Sequence, residues 1–432
     1  MSEEEPSARR PSRVLARSRF PFAAVIGVAL GLLVVFAVLR LTPRSKDSPL
    51  PAGPRALAGA LLDEVEGPLD EVLFHYVPRL EPLVFAAYKD FLGTLDPSTR
   101  LVAIVPRGAA ADLAKFLAKV DASGALEKRT RVVEVQGPIS VWSKDRALVT
   151  APTTTAGRTG LLIPVPPDPK WQERSNDWRT LAALAASAPD RYYVNELPLE
   201  FDAGDFAITS KHVIVDANLF TKNRGRAIES PQKLRELLSK LLARDVLMLG
   251  EKDGDVPRHH LSMYMTPIGG EIMLVGDPLA GKAIVGERYS PGEVSPDTGE
   301  PLVAAFSEEV VGRYERTAAD LTAAGYRVVR IPTVPFDDKT YFAYTNGVYE
   351  TRAGRAGSAG SVSRKIAWVP QYAGASGEVA APDRRAVLAL DEAARKVYAD
   401  LGWEVRPVSV RLAYPFHGTI GCLANVLSRA RD

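Results

Sequence analysis

The chain has 432 residues, 46% of them hydrophobic, with 54 Lys and Arg against 52 Asp and Glu. Eight of the basic and four of the acidic residues fall in residues 1–50, which leaves 46 against 48 elsewhere, so the basic balance lends no support to nucleic-acid binding. A single cysteine excludes an internal disulfide, and the five histidines (His75, His212, His259, His260, His417) have no second cysteine to join, so neither a metal site nor a cofactor is expected.

Taken in order, residues 1–19 are polar and carry Arg9, Arg10, Arg13, Arg17 and Arg19, after which residues 20–39 hold no charge. Twenty apolar residues match the roughly 20 needed to cross a hydrocarbon core of about 30 Å. The arginines ahead of that run predict a cytoplasmic N-terminus and an extracytoplasmic remainder. A cleaved signal peptide is the alternative, but its apolar core is about 7 to 15 residues and ends at a small-x-small site. Here Val38-Leu39-Arg40-Leu41 follows instead. The organisation expected is a cytoplasmic tail at 1–19, a membrane-spanning signal anchor at 20–39, a linker at 40–55 rich in Pro, Ser and charge, and one folded domain at 56–432.

Within that domain a unit repeats. Val310 to Leu321 and Ala386 to Tyr398 read as helices, each followed by a Gly-aromatic pair (Gly325-Tyr326, Gly402-Trp403) and a β-branched strand. Counting onward from those glycines brings Asn346 and Cys422 to matching places. The same order runs from helix Ala110 to Ala118 through the strand Arg131 to Val135 to a predicted strand Ile139 to Trp142, tipped by Asp145. It recurs from Ser230-Pro231, a cap and first-turn signal, through Leu234, Leu237, Leu238, Leu241 and Leu242 on one helical face to His260. A unit that cannot bury its own apolar face must stack on its neighbours, and units set around an axis bring their polar tips together.

The tips carry the chemistry-bearing residues. Cys422 sits in Gly421-Cys422-Leu423; Trp142-Ser143-Lys144-Asp145, Asp202-Ala203-Gly204-Asp205 and His260-Leu261-Ser262-Met263-Tyr264 supply an aromatic ring, carboxylates and an imidazole. Read as a strand, 259–264 puts His260, Ser262 and Tyr264 on one face and His259 on the other, making His259 the structural histidine.

In these motifs and their order the chain from Leu57 onward resembles the guanidine-modifying enzyme, or pentein, superfamily, which includes arginine deiminase, agmatine deiminase and bacterial peptidylarginine deiminase. The resemblance implies an α/β fold, a five-bladed propeller of ββαβ units with the active site in its central funnel. It implies Cys422 as nucleophile, His260 as general acid/base and Asp145 as guanidinium anchor, with Asp202, Trp142, Asn346 and Ser262 around the substrate. The chemistry accords with those residue types. A guanidinium is a planar cation with donors in a fixed fork that asks for carboxylates, and a thiolate beside it is the nucleophile. The partner implied is a guanidino-containing small molecule or an arginine-bearing peptide.

The chain departs from the family pattern in five places. Lys144 stands where arginine is usual, Asp202 where the longer glutamate is, Ala203 where the first glycine is, Gly421 where histidine or asparagine often precedes the cysteine, and Ser262 where a guanidinium-binding aspartate is. Losing that carboxylate forfeits about 1.5 to 3 kcal/mol of charge-assisted bonding. Two further readings therefore stand beside the hydrolase: a pentein-fold protein that binds without turnover, and an amidinotransferase that passes the amidino group to an amine.

Overall fold

The structure, a computed structural model, describes residues 60–152, 157–165, 176–224, 228–353, 363–374 and 381–430. The tail, anchor and linker expected at 1–55 lie outside these residues; among the described ones no helix is long and apolar enough to cross a membrane.

Strands β1 (Leu69–His75), β2 (Arg100–Pro106) and β3 (Thr130–Val135) run parallel to one another. A second sheet holds β4 (Leu148–Thr150), β5 (Thr159–Ile163) and β6 (Tyr192–Glu196); a third holds β7 (Ala207–Ile208), β8 (Val213–Asp216) and β9 (Val246–Leu249). Next come β10 (Met265–Pro267), β11 (Ile272–Asp277) and β12 (Arg327–Pro332), then a two-stranded pair, β13 (Val334–Pro335) and β14 (Tyr341–Phe342). The last full sheet is β15 (Val348–Arg352), β16 (Arg364–Gln371) and β17 (Glu404–Ser409), after which β18 (Ala424–Arg429) returns to pair with β1.

One plan recurs in five of these groups. The first strand is antiparallel to the second and the second parallel to the third: β18-β1-β2, β4-β5-β6, β7-β8-β9, β10-β11-β12 and β15-β16-β17. Parallel neighbours cannot be joined by a tight turn and need a crossover, usually helical. Helices Glu81–Leu92, Asp177–Ser187, Pro231–Leu242, Glu308–Ala323 and Ala381–Asp400 supply one in each group. Covered by those helices, the middle strands are buried runs such as Val72 to His75 and Val213 to Asp216, as strands packed on both faces require.

The helices follow from their sequences. In Pro231–Leu242 the Ser230 hydroxyl accepts the Lys233 amide at 3.2 Å, a cap worth about 1 kcal/mol, and Leu234, Leu238, Leu241 and Leu242 form the buried stripe. The periodic runs at 110–118, 310–321 and 386–398 are likewise helical. The two strands expected at 139–142 and 259–264 are not strands. Residues 144–146 and 261–263 each form a single 3-10 turn, and His259, with φ of +73°, breaks the extended pattern just before the second.

Candidate active site

Each polar tip is a turn that runs into the first strand of a unit. Asp145 precedes β4, Asp202 precedes β7, His260 precedes β10, Asn346 precedes β15 and Cys422 precedes β18. The turns touch: Lys144–Arg146 lies against both Ala203–Asp205 and Ile420–Leu423, and Ala203–Asp205 lies against Leu261–Met263. The Ser143 hydroxyl stitches two of them by donating to the Leu423 carbonyl at 2.8 Å.

Cys422 is a free, buried thiol in a one-turn helix whose geometry is set by Thr419 and Asn346. The Thr419 carbonyl accepts the Cys422 amide at 3.0 Å, and the Thr419 hydroxyl donates to the Asn346 carbonyl at 2.9 Å. The Asn346 side-chain nitrogen donates to Cys422 Sγ at 3.0 Å and to Met263 Sδ at 2.8 Å. Gly421 is required by this approach, because a β-carbon there would fall 1.8 Å from Asn346 Oδ1. The glycine that departs from the usual residue before the nucleophile thus has a steric reason.

His260 lies among three acceptors. Its Nε2 is 3.3 Å from Asp202 Oδ2 and its Nδ1 3.9 Å from Asp145 Oδ1. One atom each from Asp145, His260 and Cys422 falls within 4.8 Å of the other two. Burial opposes charge on the imidazole, but Asp145, the Asp202 bond and the Cys422 sulfur outweigh it and raise the ring to about 10. At neutral pH it is therefore an imidazolium. That proton competes with any cation the three donors could bridge, since a ligating histidine must be neutral.

Asp202 has protein cations on both oxygens. Arg146 Nη1 is 3.2 Å from Oδ1, and Lys222 Nζ is 3.3 Å from Oδ2, the oxygen that His260 also faces. Lys222 reaches in from helix Ala217–Asn223, which Asp216 caps by accepting from the amides of Asn218 and Leu219. Burial opposes the Lys222 charge, yet Asp205 and Asp202 raise its pKa. Asp205, buried and 2.7 Å from Lys222, completes a capping box with Asp202. The residue expected to meet substrate is therefore held in an ion network around His260.

Trp142 packs its ring over Gly418, where a β-carbon would stand 2.4 Å from the indole, and joins the apolar cluster that contains Cys422. Ser262 lines a cavity of about 60 Å³ together with Lys144, Ala203, Thr345, Asn346 and Gly421. Asp145, His260, Cys422 and Trp142 are not among its walls. His259 does not face away from His260: their rings stack with centroids 4.0 Å apart at 17°. The alternation expected for a strand fails here because the backbone turns at His259.

No family model and no curated protein matches the chain. Solved structures do. Agmatine deiminase of C. jejuni with substrate bound superposes with a TM-score of 0.56 at 13% identity, over 86% of this chain and 97% of that one. Agmatine deiminase of Enterococcus faecalis gives 0.51 at 12% identity, over 86% and 98%. The chain has the pentein fold. At these identities the likeness is one of fold, so what the site does rests on its own residues.

In this chain, sequence motifs point to Asp145, Asp202, His260, Asn346 and Cys422, and the structure brings all five together. They do not point to Lys222, which belongs to no motif, or to Arg146 as the Asp202 partner. The glycines carried a signal that can be recognised afterwards: Gly204, Gly418 and Gly421 each stand where a β-carbon would strike a site residue.

Proposed function

We propose that this chain hydrolyses the guanidino group of arginine or an arginine derivative. The observation that carries the reading is the meeting of Asp145, His260 and Cys422, delivered by three separate units, with one atom of each within 4.8 Å of the others. Their arrangement in a closed five-bladed ring is part of the proposal; five repeats of one strand plan and the pairing of β18 with β1 support it.

In this mechanism Asp145 accepts hydrogen bonds from the guanidinium and holds its central carbon by the sulfur. The Cys422 thiolate forms a bond to that carbon, and the imidazolium of His260 gives its proton to the leaving nitrogen as the C–N bond breaks. Ammonia or an amine departs, leaving a covalent S-alkylthiouronium. His260, now neutral, takes one proton from water as the oxygen attacks; the C–S bond breaks with its electron pair returning to sulfur, the hydroxyl proton passes to solvent, and the ureido product leaves with the Cys422 thiolate and the His260 imidazolium restored. A ring already protonated at neutral pH suits the first of these two roles. Asp202 serves His260 in this scheme, since its own oxygens face Arg146, Lys222 and His260.

The test is to incubate the purified full chain with arginine, agmatine, dimethylarginine and an arginine-ended peptide and to assay ureido product, with Cys422→Ala as control. Product that vanishes in the variant supports hydrolysis. Guanidino product formed only when an amine acceptor is added indicates an amidinotransferase. A folded protein that binds a guanidino ligand but yields neither is a binding protein, the reading that Ser262 in place of an aspartate favours. We also propose that the catalytic domain lies outside the membrane, on the strength of the arginines before residues 20–39. Protease digestion of the domain in intact cells would refute this if the domain were protected.

A further inference from the structure

The proposed reaction leaves His259 unused, yet this residue adopts a costly conformation. Its φ of +73° lies in the left-handed region, where a β-carbon crowds the following carbonyl and glycine is the usual occupant. Non-glycine residues persist there when their surroundings over-determine them, often at functional sites. Two contacts account for the strain. The His259 ring stacks on His260 at 4.0 Å and 17°. Its Nε2 lies 2.9 Å from the His417 carbonyl, which can only accept, so Nε2 carries the proton and donates it.

The acceptor matters as much as the donor. His417 also has a positive φ, +69°, and opens the segment through Gly418 and Thr419 that holds Cys422. One ring therefore touches the acid/base residue with its face and the nucleophile's segment with its edge. The Gly204 backbone is a second wall, since a β-carbon there would stand 2.6 Å from His260 Nδ1.

We propose that His259 is a positioning residue: its ring sets the orientation of His260, and its Nε2–H ties that ring to the segment carrying Cys422. This rests on the hydrolase reading for what the positioned groups do, but the positioning itself does not need turnover. Burial, with the charged His260 beside it, holds His259 well below the ordinary histidine range, so a neutral ring faces an imidazolium, an attractive stack. Asp145, Asp202 and Cys422 face His260; His260, His417 and Lys222 face His259.

Two variants separate the contacts. His259→Asn tolerates a positive φ but removes the stacked ring; His259→Phe keeps a ring and removes the donor. The readouts are the rate of Cys422 alkylation by chloroacetamide between pH 5 and 10.5, kcat and KM where a substrate turns over, and the melting temperature. His259→Asn is expected to slow alkylation at pH 7 about tenfold or more and to change the shape of its pH profile, with kcat falling in step and KM little altered, as a misplaced catalytic group produces. His259→Phe is expected to keep the wild-type profile at a reduced rate. A folded His259→Asn protein whose alkylation rate and pH profile superimpose on wild type overturns the proposal. If Phe at this strained position does not fold, the Asn variant still decides it. Because alkylation requires no substrate, a protein that turns nothing over yet shows the shifted profile refutes the hydrolase reading and leaves the positioning role standing.

Discussion

The Asn346 carboxamide donates to the Cys422 sulfur across 3.0 Å, and the glycine before that cysteine leaves just enough room for it. With its second bond to Met263 Sδ at 2.8 Å, that carboxamide fixes where the sulfur stands. Asn346→Ala is therefore expected to slow Cys422 alkylation at neutral pH and to lower kcat, by about ten- to a hundredfold for the loss of one bond to a charged group. Gly421→Ala should cost a similar factor by a different route, since its methyl group displaces the carboxamide. Because both act through one contact, the double variant should be little worse than either single one. Additive losses in the rate measurements would show that Gly421 acts independently of Asn346.

A second expectation concerns alkaline pH. His260 titrates near 10 in the folded protein against about 6.5 when unfolded. A raised value means that the folded state binds the proton more tightly, so the contribution is fully present below about pH 6.5 and is lost as pH rises through about 10. Thermal melts of wild type and His260→Gln should differ most at pH 6 and converge toward pH 10.5. A constant difference across that range would mean that the imidazole is neutral in the fold.

How much of this was legible beforehand differs from residue to residue. The helix Pro231–Leu242 was readable because cap, proline and leucine stripe all say the same thing locally. Asp145 and Cys422 were readable as motif residues, but their meeting is a product of the recurring unit, which places each tip just ahead of a first strand. Only the face of His259 was misread, because strand alternation holds only while φ stays negative, and nothing in His-His announces a left-handed residue. Lys222 was invisible for another reason. It reaches Asp202 and Asp205 from a helix that follows β8, a contact set by tertiary packing and not by spacing.

The Asp145 and Asp202 carboxylates both hold the charge on His260. Burial opposes that charge; Asp145 favours it through its own charge, and Asp202 favours it through both its bond and its charge. Both Asp145→Asn and Asp202→Asn are expected to move the alkaline fall of activity to lower pH. Asp202→Asn should also cost about 1 to 3 kcal/mol of stability, because Arg146, itself buried, loses a charged partner while Lys222 keeps Asp205. Denaturant titration alongside the pH profile separates the two effects. A profile unchanged in Asp202→Asn would assign that carboxylate to the ion network alone.

Gly204 offers the most direct test of the slot that holds His260. A β-carbon added there would lie 2.6 Å from Nδ1 and 2.7 Å from Cγ, closer than side-chain carbons approach, so the ring must shift. Overpacking of this kind costs about 1 to 3 kcal/mol, a loss that a well-packed domain survives. The loss in rate should be larger in proportion, because a shift of about 1 Å at a catalytic group can cost a hundredfold. Gly204→Ala is thus expected to stay folded, to bind a guanidino ligand nearly as wild type does, and to lose kcat. Since the methyl group disturbs His260 and leaves the Asn346–Cys422 contact alone, Cys422 should remain open to alkylation while its pH profile changes. A Gly204→Ala protein with wild-type kcat would show that the ring has room to spare, and that its orientation is not what limits the reaction.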